Sequence, residues 1–195
     1  MTLFKFILSS LVSFLLWIRS TLYSLKLFKI YSFNVPVIAI GNIAIGGTGK
    51  TPLTIHLSQL LSKQKIKHVI VTRGFGKKSK GTFCLEHNNK NNSFRPADVG
   101  DEPLVIFNKI KDAPIVIDSN KVRGIKFAIK NFSPELIVLD DGFQSTYIAK
   151  NKDLVLIDIS FDLKRYKLFP NGFLRDNIKS LNKSDHLIFS CKLNK

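Results

Sequence analysis

Cysteine, histidine and acidic residues are scarce in this chain, and each scarcity removes a class of function. The two cysteines, Cys84 and Cys191, cannot build a zinc site alone, and nothing about them asks for an oxidising compartment. They read as reduced thiols. The four histidines, His56, His68, His87 and His186, have no metal-ligand spacing such as HExxH. Only 14 acidic residues stand against 30 Lys and Arg, so the net charge is +16. Such a balance favours an anionic partner, whether nucleic acid, anionic lipid or a phosphorylated substrate. No recognisable RNA- or DNA-binding motif is present, so charge alone makes no nucleic-acid binder. Internal repeats are absent too. The 195 residues suffice for one domain with a core and are marginal for two.

The N-terminus is the first positive signal. Leu3 to Ile18 reads LFKFILSSLVSFLLWI, with twelve apolar residues of sixteen and Lys5 as its one charge. As a helix this stretch is ~24 Å long, short of a ~30 Å hydrocarbon core. Ser9, Ser13, Ser20 and Ser24 share one face at 100° per residue. A basic aromatic stretch follows, with Arg19, Tyr23, Lys26, Phe28, Lys29 and Tyr31. No small-x-small cleavage site follows, which argues against a signal peptide. The pattern predicts a helix dipped into one leaflet, its cations and tyrosines at headgroup level, in preference to a full span or a buried core helix. Residues 1–33 are therefore expected to form a membrane-associated segment and residues 34–195 a folded domain.

From Asn34 onward strands and helices alternate. Strands are expected at Val35 to Ile40, His68 to Thr72, Ile115 to Asp118, Leu136 to Asp140, Leu154 to Asp158 and His186 to Phe189. Helices are expected at Pro52 to Lys63, with Leu53, Leu57, Leu60 and Leu61 on one side, at Asp101 to Lys111 and at Lys121 to Asn131. The polar stretch Phe75 to Arg95 is expected to form a hairpin or a mobile loop over the site. This alternation predicts an α/β fold, a mostly parallel sheet with helices on both faces.

Chemistry concentrates in Ala44 to Thr51, AIGGTGKT, a P-loop in which Ala44 replaces the leading glycine. Ile45 and Thr48 complete the loop, and Gly46, Gly47 and Gly49 let the backbone wrap an anion with its N–H groups. Lys50 is expected to reach the β- and γ-phosphates, and Thr51 to place its hydroxyl on Mg²⁺. A strand precedes the loop and a helix follows it, as the mechanism requires. LIVLDDGFQ, residues 136 to 144, ends an apolar strand in carboxylates, and Asp140 or Asp141 is expected to hold the magnesium shell. NKSD, residues 182 to 185, copies a guanine-reading motif but precedes its apolar run instead of following it. ATP is therefore the expected nucleotide.

GNIAIGGTGKTP (41–52), TRGFG (72–76), VGDEP (99–103), LDDGFQ (139–144) and LFPNGFLRD (168–176) occur in that order. Together they resemble the tetraacyldisaccharide 4′-kinases, the lipid A 4′-kinases of Gram-negative bacteria. The likeness runs from about residue 3 to the last residue. It implies transfer of the γ-phosphate of ATP, with Mg²⁺, to the 4′-hydroxyl of a tetraacylated glucosamine disaccharide 1-phosphate. It implies Asp101 as the general base, Glu102 as an acidic neighbour of the metal, and an enzyme on the cytoplasmic face of the inner membrane. Arg73, Gln144, Arg175 and Asp176 fall in the same motifs, with Asp176 where the family has Glu. Ser145 stands where the family usually has His, and Asn120-Lys121 where it usually has Asp-Arg. Family members are longer, which implies a C-terminal lobe that these residues do not contain. The alternative reading is a membrane-associated P-loop ATPase that regulates or positions a partner.

Overall fold

The computed structural model describes residues 2–87 and 95–191. A long N-terminal helix, α1 (Thr2–Ser24), leads into β1 (Val37–Asn42), α2 (Lys50–Lys63) and β2 (His68–Thr72). Then come β3 (Phe83–Leu85), the single turn α3 (Pro96–Val99), α4 (Asp101–Lys109), β4 (Ile115–Ile117) and α5 (Lys121–Phe132). The chain closes with β5 (Leu136–Leu139), β6 (Lys152–Asp158) and β7 (His186–Ser190). The seven strands form one sheet in the order β3-β4-β2-β5-β1-β6-β7, and every pairing is parallel except that of β3 with β4.

The expected α/β fold is present, and its two layers follow from the period of two along each strand. Ile40, Ile70, Val138, Ile115 and Ile117 face one side, where Leu53, Leu57 and Leu61 of α2 and Ile106 of α4 cover them. Ala39, Val69, Val71, Ile137 and Leu139 face the other, where Val122, Ile125 and Ala128 of α5 pack. A parallel sheet brings the carboxyl ends of its strands to one edge. Asn42, Thr72, Asp118, Asp140, Asp158 and Ser190 all lie at or just beyond that edge.

Four expectations need correction. Helix α2 does not seat all four leucines: Leu60 is 42% exposed, and the buried positions are Thr54, Ser58 and Leu61. Polar groups face the sheet there because the sheet offers them partners. Thr54 Oγ1 donates to Asp140 Oδ1 at 3.2 Å, and Ser58 Oγ lies 2.7 Å from His68 Nε2. The segment Phe75 to Arg95 is not all loop, and a hairpin within it could be judged only with residues that lie outside the described ones. Its described part carries β3, paired to β4 at the sheet edge, because Leu85 enters the core and Thr82 bonds Asp118; residues 88–94 lie outside the described residues. Helix α1 runs 23 residues, ~35 Å at 1.5 Å per residue, so the length argument against spanning does not hold. Finally, the segment before Asn34 is not wholly separate from the domain. Tyr31 N donates to Tyr147 O, Ala149 N donates to Tyr31 O, and Tyr31, Phe33 and Val35 pack on the α5 side of the sheet.

His68 shows how closely the core is fitted. Its Nδ1–H donates to Ile66 O at 2.9 Å, so Nε2 accepts from Ser58. Burial lowers the imidazole pKa, against the backbone bond and the charge of Asp112. Ser58→Ala leaves that nitrogen buried with no donor, and a loss of about 1–3 kcal/mol is expected in urea unfolding at pH 7. An unchanged unfolding midpoint would refute the pairing.

Candidate active site

The P-loop leaves the carboxyl end of β1 and opens α2, as expected. Gly49 is the N-cap of α2 at φ 91°, a left-handed conformation that a side chain would strain. Ala44 in place of glycine is accommodated, because the residue has no positive φ and bridges antiparallel to Leu174. That bridge docks LFPNGFLRD on the loop: Ile45 N donates to Phe173 O at 2.7 Å, and Arg175 N to Ile43 O at 2.8 Å. On the far side Ser190 Oγ donates to Thr48 O at 2.9 Å. A Cβ built on Gly46 or Gly47 meets nothing within 4 Å, so the cradle is open where an anion would enter.

Asp141 gathers the site. It follows β5 at φ 50°, a conformation that aspartate tolerates better than most residues. Arg175 clasps its carboxylate through both terminal nitrogens, and Lys50 Nζ stands 3.8 Å away. The buried Lys121 ammonium donates to its carbonyl and lies 3.3 Å from Ser145 Oγ. Burial works to raise the Asp141 pKa, but the Arg175 hydrogen bond and the charges of Arg175, Lys121 and Lys50 outweigh it and hold the carboxyl below its usual value. Asp140 is 2% exposed and accepts from Thr54 and Thr72. Burial drives its pKa upward, despite the Thr72 bond. Glu102 is raised as well, by burial and then by the charges of Asp140 and Asp141, with Lys50 and Arg175 opposing.

Asp101 and Glu102 open α4, next to Gly100. A Cβ on Gly100 would lie 2.6 Å from Phe75 O, and the residue sits at φ 94°. VGDEP and TRGFG therefore lie back to back at close range, which only glycine permits. Asp101 and Glu102 share a groove of about 590 Å³ with Thr51, Pro52 and His56. Arg73 is exposed, and its charge reaches Lys121. Gln144 turns inward and donates to Asn42 O at 2.6 Å. Asp176 turns away from the phosphate side and lines the groove beneath α1, where burial raises its pKa. Asp185 of NKSD accepts from Lys152 Nζ and Asp153 N, so that motif ties β7 to β6.

Sequence reasoning missed two residues. Asn42 is fully buried, donates to Thr48 Oγ1 at 2.7 Å and accepts from Arg175 at 2.5 Å; its signal was its place in GNIAIGG. Lys121 had a signal in the Asn120-Lys121 departure, since a cation persists there. Among the described residues, no three acidic, histidine or cysteine side chains converge enough to hold a metal alone. The donor set still suits magnesium, which prefers one or two carboxylates, water and phosphate oxygens to an all-protein cage.

The family model described as tetraacyldisaccharide-1-P 4′-kinase matches residues 1–195. The chain belongs to the tetraacyldisaccharide-1-P 4′-kinase family. A tetraacyldisaccharide 4′-kinase of Desulfotalea psychrophila is 33% identical over 185 residues, which is 95% of this chain and 53% of that protein. One from Wigglesworthia glossinidia brevipalpis is 36% identical over 175 residues, 89% of this chain and 47% of the relative. The crystal structure of the Aquifex aeolicus family member in complex with ATP superposes with a TM-score of 0.86 at 32% identity, covering 95% of this chain and 57% of that one. The chain thus spans about half the length of the curated relatives it matches. Membership in the 4′-kinase family accounts for the joint presence of the five motifs, which bring Asn42, Lys50, Thr72, Glu102, Asp140, Asp141 and Arg175 to one cluster.

Lys121 provides a test of the electrostatics. Burial lowers its pKa from 10.5 to about 8, against the attraction of Asp141 and Asp140. Between those values the unfolded chain holds the proton and the folded chain does not, so stability rises with pH across that window. Below pH 8 the full cost of the buried charge is present. In chemical denaturation, wild type is expected to gain stability relative to Lys121→Met from pH 8 to 10.5, with no change in the difference from pH 6 to 7. A flat difference across the upper window would show that Lys121 is not a buried ammonium.

Proposed function

We propose that this chain is the MgATP-binding half of a tetraacyldisaccharide 4′-kinase, which phosphorylates the 4′-hydroxyl of a tetraacyldisaccharide 1-phosphate at the cytoplasmic face of the inner membrane. The observation that carries this reading is the approach of Lys50 to Asp141 beneath an open P-loop, with Arg175 on the same carboxylate. In this reading Ala44 to Thr51 cradle the phosphates with backbone N–H groups, and Lys50 faces the charge that develops on the transferred group. Thr51, Glu102, Asp140 and Asp141 are the groups from which magnesium would draw its ligands, directly or through water, and its charge would lower the repulsion between phosphates and acceptor. Asp101 accepts the proton of the sugar hydroxyl from the groove it shares with Thr51. Arg73 and Gln144 frame the site, and Asp176 belongs to the face under α1. No role in nucleic-acid binding is assigned.

Productive transfer also needs the acceptor in line and water kept out, which supplies ~7–11 kcal/mol in well-positioned reactions. The relatives' remaining length is the source of that positioning. Residues 1–195 in detergent micelles, given γ-labelled ATP and tetraacyldisaccharide 1-phosphate, are expected to bind MgATP and to transfer label weakly until a C-terminal half is supplied. Lys50→Ala is expected to weaken MgATP binding roughly ten- to a hundredfold. Nucleotide affinity untouched by that change would refute the P-loop assignment. Robust ATP hydrolysis without transfer, even with the second half, would favour the regulatory ATPase.

For the membrane, the outward face of α1 is the support. Phe4, Phe6, Ile7, Leu11 and Leu15 are each more than half exposed. The opposite face touches the domain: Ser9 Oγ donates to Leu168 O at 3.4 Å and Lys183 Nζ to Ser20 Oγ at 2.6 Å. A helix held along the domain in this way lies in the interface instead of crossing it. Because Tyr31 and Phe33 pack on the sheet, a chain starting at residue 30 is the informative truncation. It is expected to stay folded and to lose flotation with anionic vesicles, whereas undiminished flotation would place the membrane surface elsewhere.

A further inference from the structure

The inner face of α1 carries one long cation, Arg19, and that cation reaches toward the phosphate site instead of into solvent. Its guanidinium donates from one nitrogen to Gln144 O and, at 3.1 Å, to Thr146 Oγ1. Gln144 is the last residue of LDDGFQ, and its own side chain donates to Asn42 O at 2.6 Å. Asn42 in turn donates to Thr48 Oγ1 of the P-loop at 2.7 Å and accepts from Arg175 at 2.5 Å. Arg175 then clasps Asp141, which faces Lys50. Arg19, Gln144 and Asn42, through the backbone carbonyls of Gln144 and Asn42, thus link α1 to Thr48 of the phosphate cradle.

We propose that Arg19 is a positioning residue for the nucleotide site, acting through Gln144 and Asn42. The inference rests on the reading of the P-loop as a nucleotide site. Burial makes the linkage effective. Asn42 and Thr48 are 0% and 3% exposed, so their hydrogen bonds have no water to replace them. In so dry a place each bond polarises the next, and a partner that moves leaves a polar group stranded. A guanidinium bond to a carbonyl is charge-assisted and stronger than a neutral one. With α1 docked, Arg19 fixes the backbone of Gln144, and the amide beneath Asn42 O stays in register. With α1 undocked, that peptide loses its anchor, and Asn42 is free to relax away from Thr48 and Arg175. The same contact makes the enzyme sensitive to the seating of its membrane helix.

Coupling of this kind is reciprocal: if docking of α1 favours MgATP, MgATP must favour docking. Both directions can be read on residues 1–195 in detergent micelles. By calorimetry, Arg19→Ala is expected to weaken MgATP binding roughly tenfold, while Lys183→Ala, which removes the contact to Ser20 and leaves the Arg19 bonds in place, keeps it within about twofold. In a double-mutant cycle, Arg19→Ala and Gln144→Ala are expected to cost less together than the sum of their separate effects. MgATP is also expected to slow tryptic cleavage after Lys26 and Lys29, between α1 and β1, in wild type but not in Arg19→Ala. A purely structural Arg19 would change cleavage without making it depend on nucleotide. Wild-type affinity in Arg19→Ala, additive costs in the cycle, or equal nucleotide protection in both chains would each overturn the relay. Failure of wild type itself to bind MgATP would instead overturn the nucleotide reading on which the relay stands.

Discussion

The ion pair between Arg175 and Asp141 is the contact on which the rest of the site depends. It joins the end of β5 to a segment more than thirty positions further along the chain, and the same arginine holds Asn42 at the end of β1. Lys50 from α2 and Lys121 from α5 approach the same aspartate, one at its carboxylate and one at its carbonyl. Helices from opposite faces of the sheet are thereby fastened at one residue. The pair is only half-buried, so its importance lies in the elements it ties together.

Charge balance explains why this arrangement folds at all in so basic a chain. Three cations, Lys50, Lys121 and Arg175, meet three carboxylates, Glu102, Asp140 and Asp141. The balance is uneven in space. Asp141 holds most of the cationic contact and is kept ionised, whereas burial pushes Asp140 and Glu102 toward their neutral forms. Carboxylates in that condition favour the arrival of a cation, and an open cradle of backbone N–H groups favours the arrival of an anion. The two preferences belong to neighbouring parts of one edge, as the proposed metal–phosphate site requires.

The N-terminal helix adds a second constraint. Its outer face is too apolar for water, and its inner face carries serines and Arg19 against the domain. A groove of about 900 Å³ remains between helix and domain, lined in part by Ser13, Arg19, Asp176 and Lys183. The packing is partial, so the seating of α1 can vary without unfolding the sheet, whose core lies elsewhere. An element of that kind is able to transmit the state of a surface to a site.

Local pattern was enough to read the P-loop, because AIGGTGKT needs only a strand before it and a helix after it. The parallel sheet followed from alternation of apolar runs, and Asp140, Asp141 and Asp101 from their places in motifs. What local pattern could not supply was partnership. Thr54 and Ser58 face the core because Asp140 and His68 await them there, and no helical period reveals that. The stretch after Phe75 looked like a loop until its three-residue strand met β4 from the outside. Asp176 sits one residue from Arg175 yet serves the opposite side. Asn42 and Lys121 matter through contacts made across the fold. The sequence by itself determined which chemistry is available, since residue type and spacing fix a phosphate cradle locally. Only the tertiary structure decided which charges meet and which helix they answer to, because those depend on contacts between residues far apart in the chain.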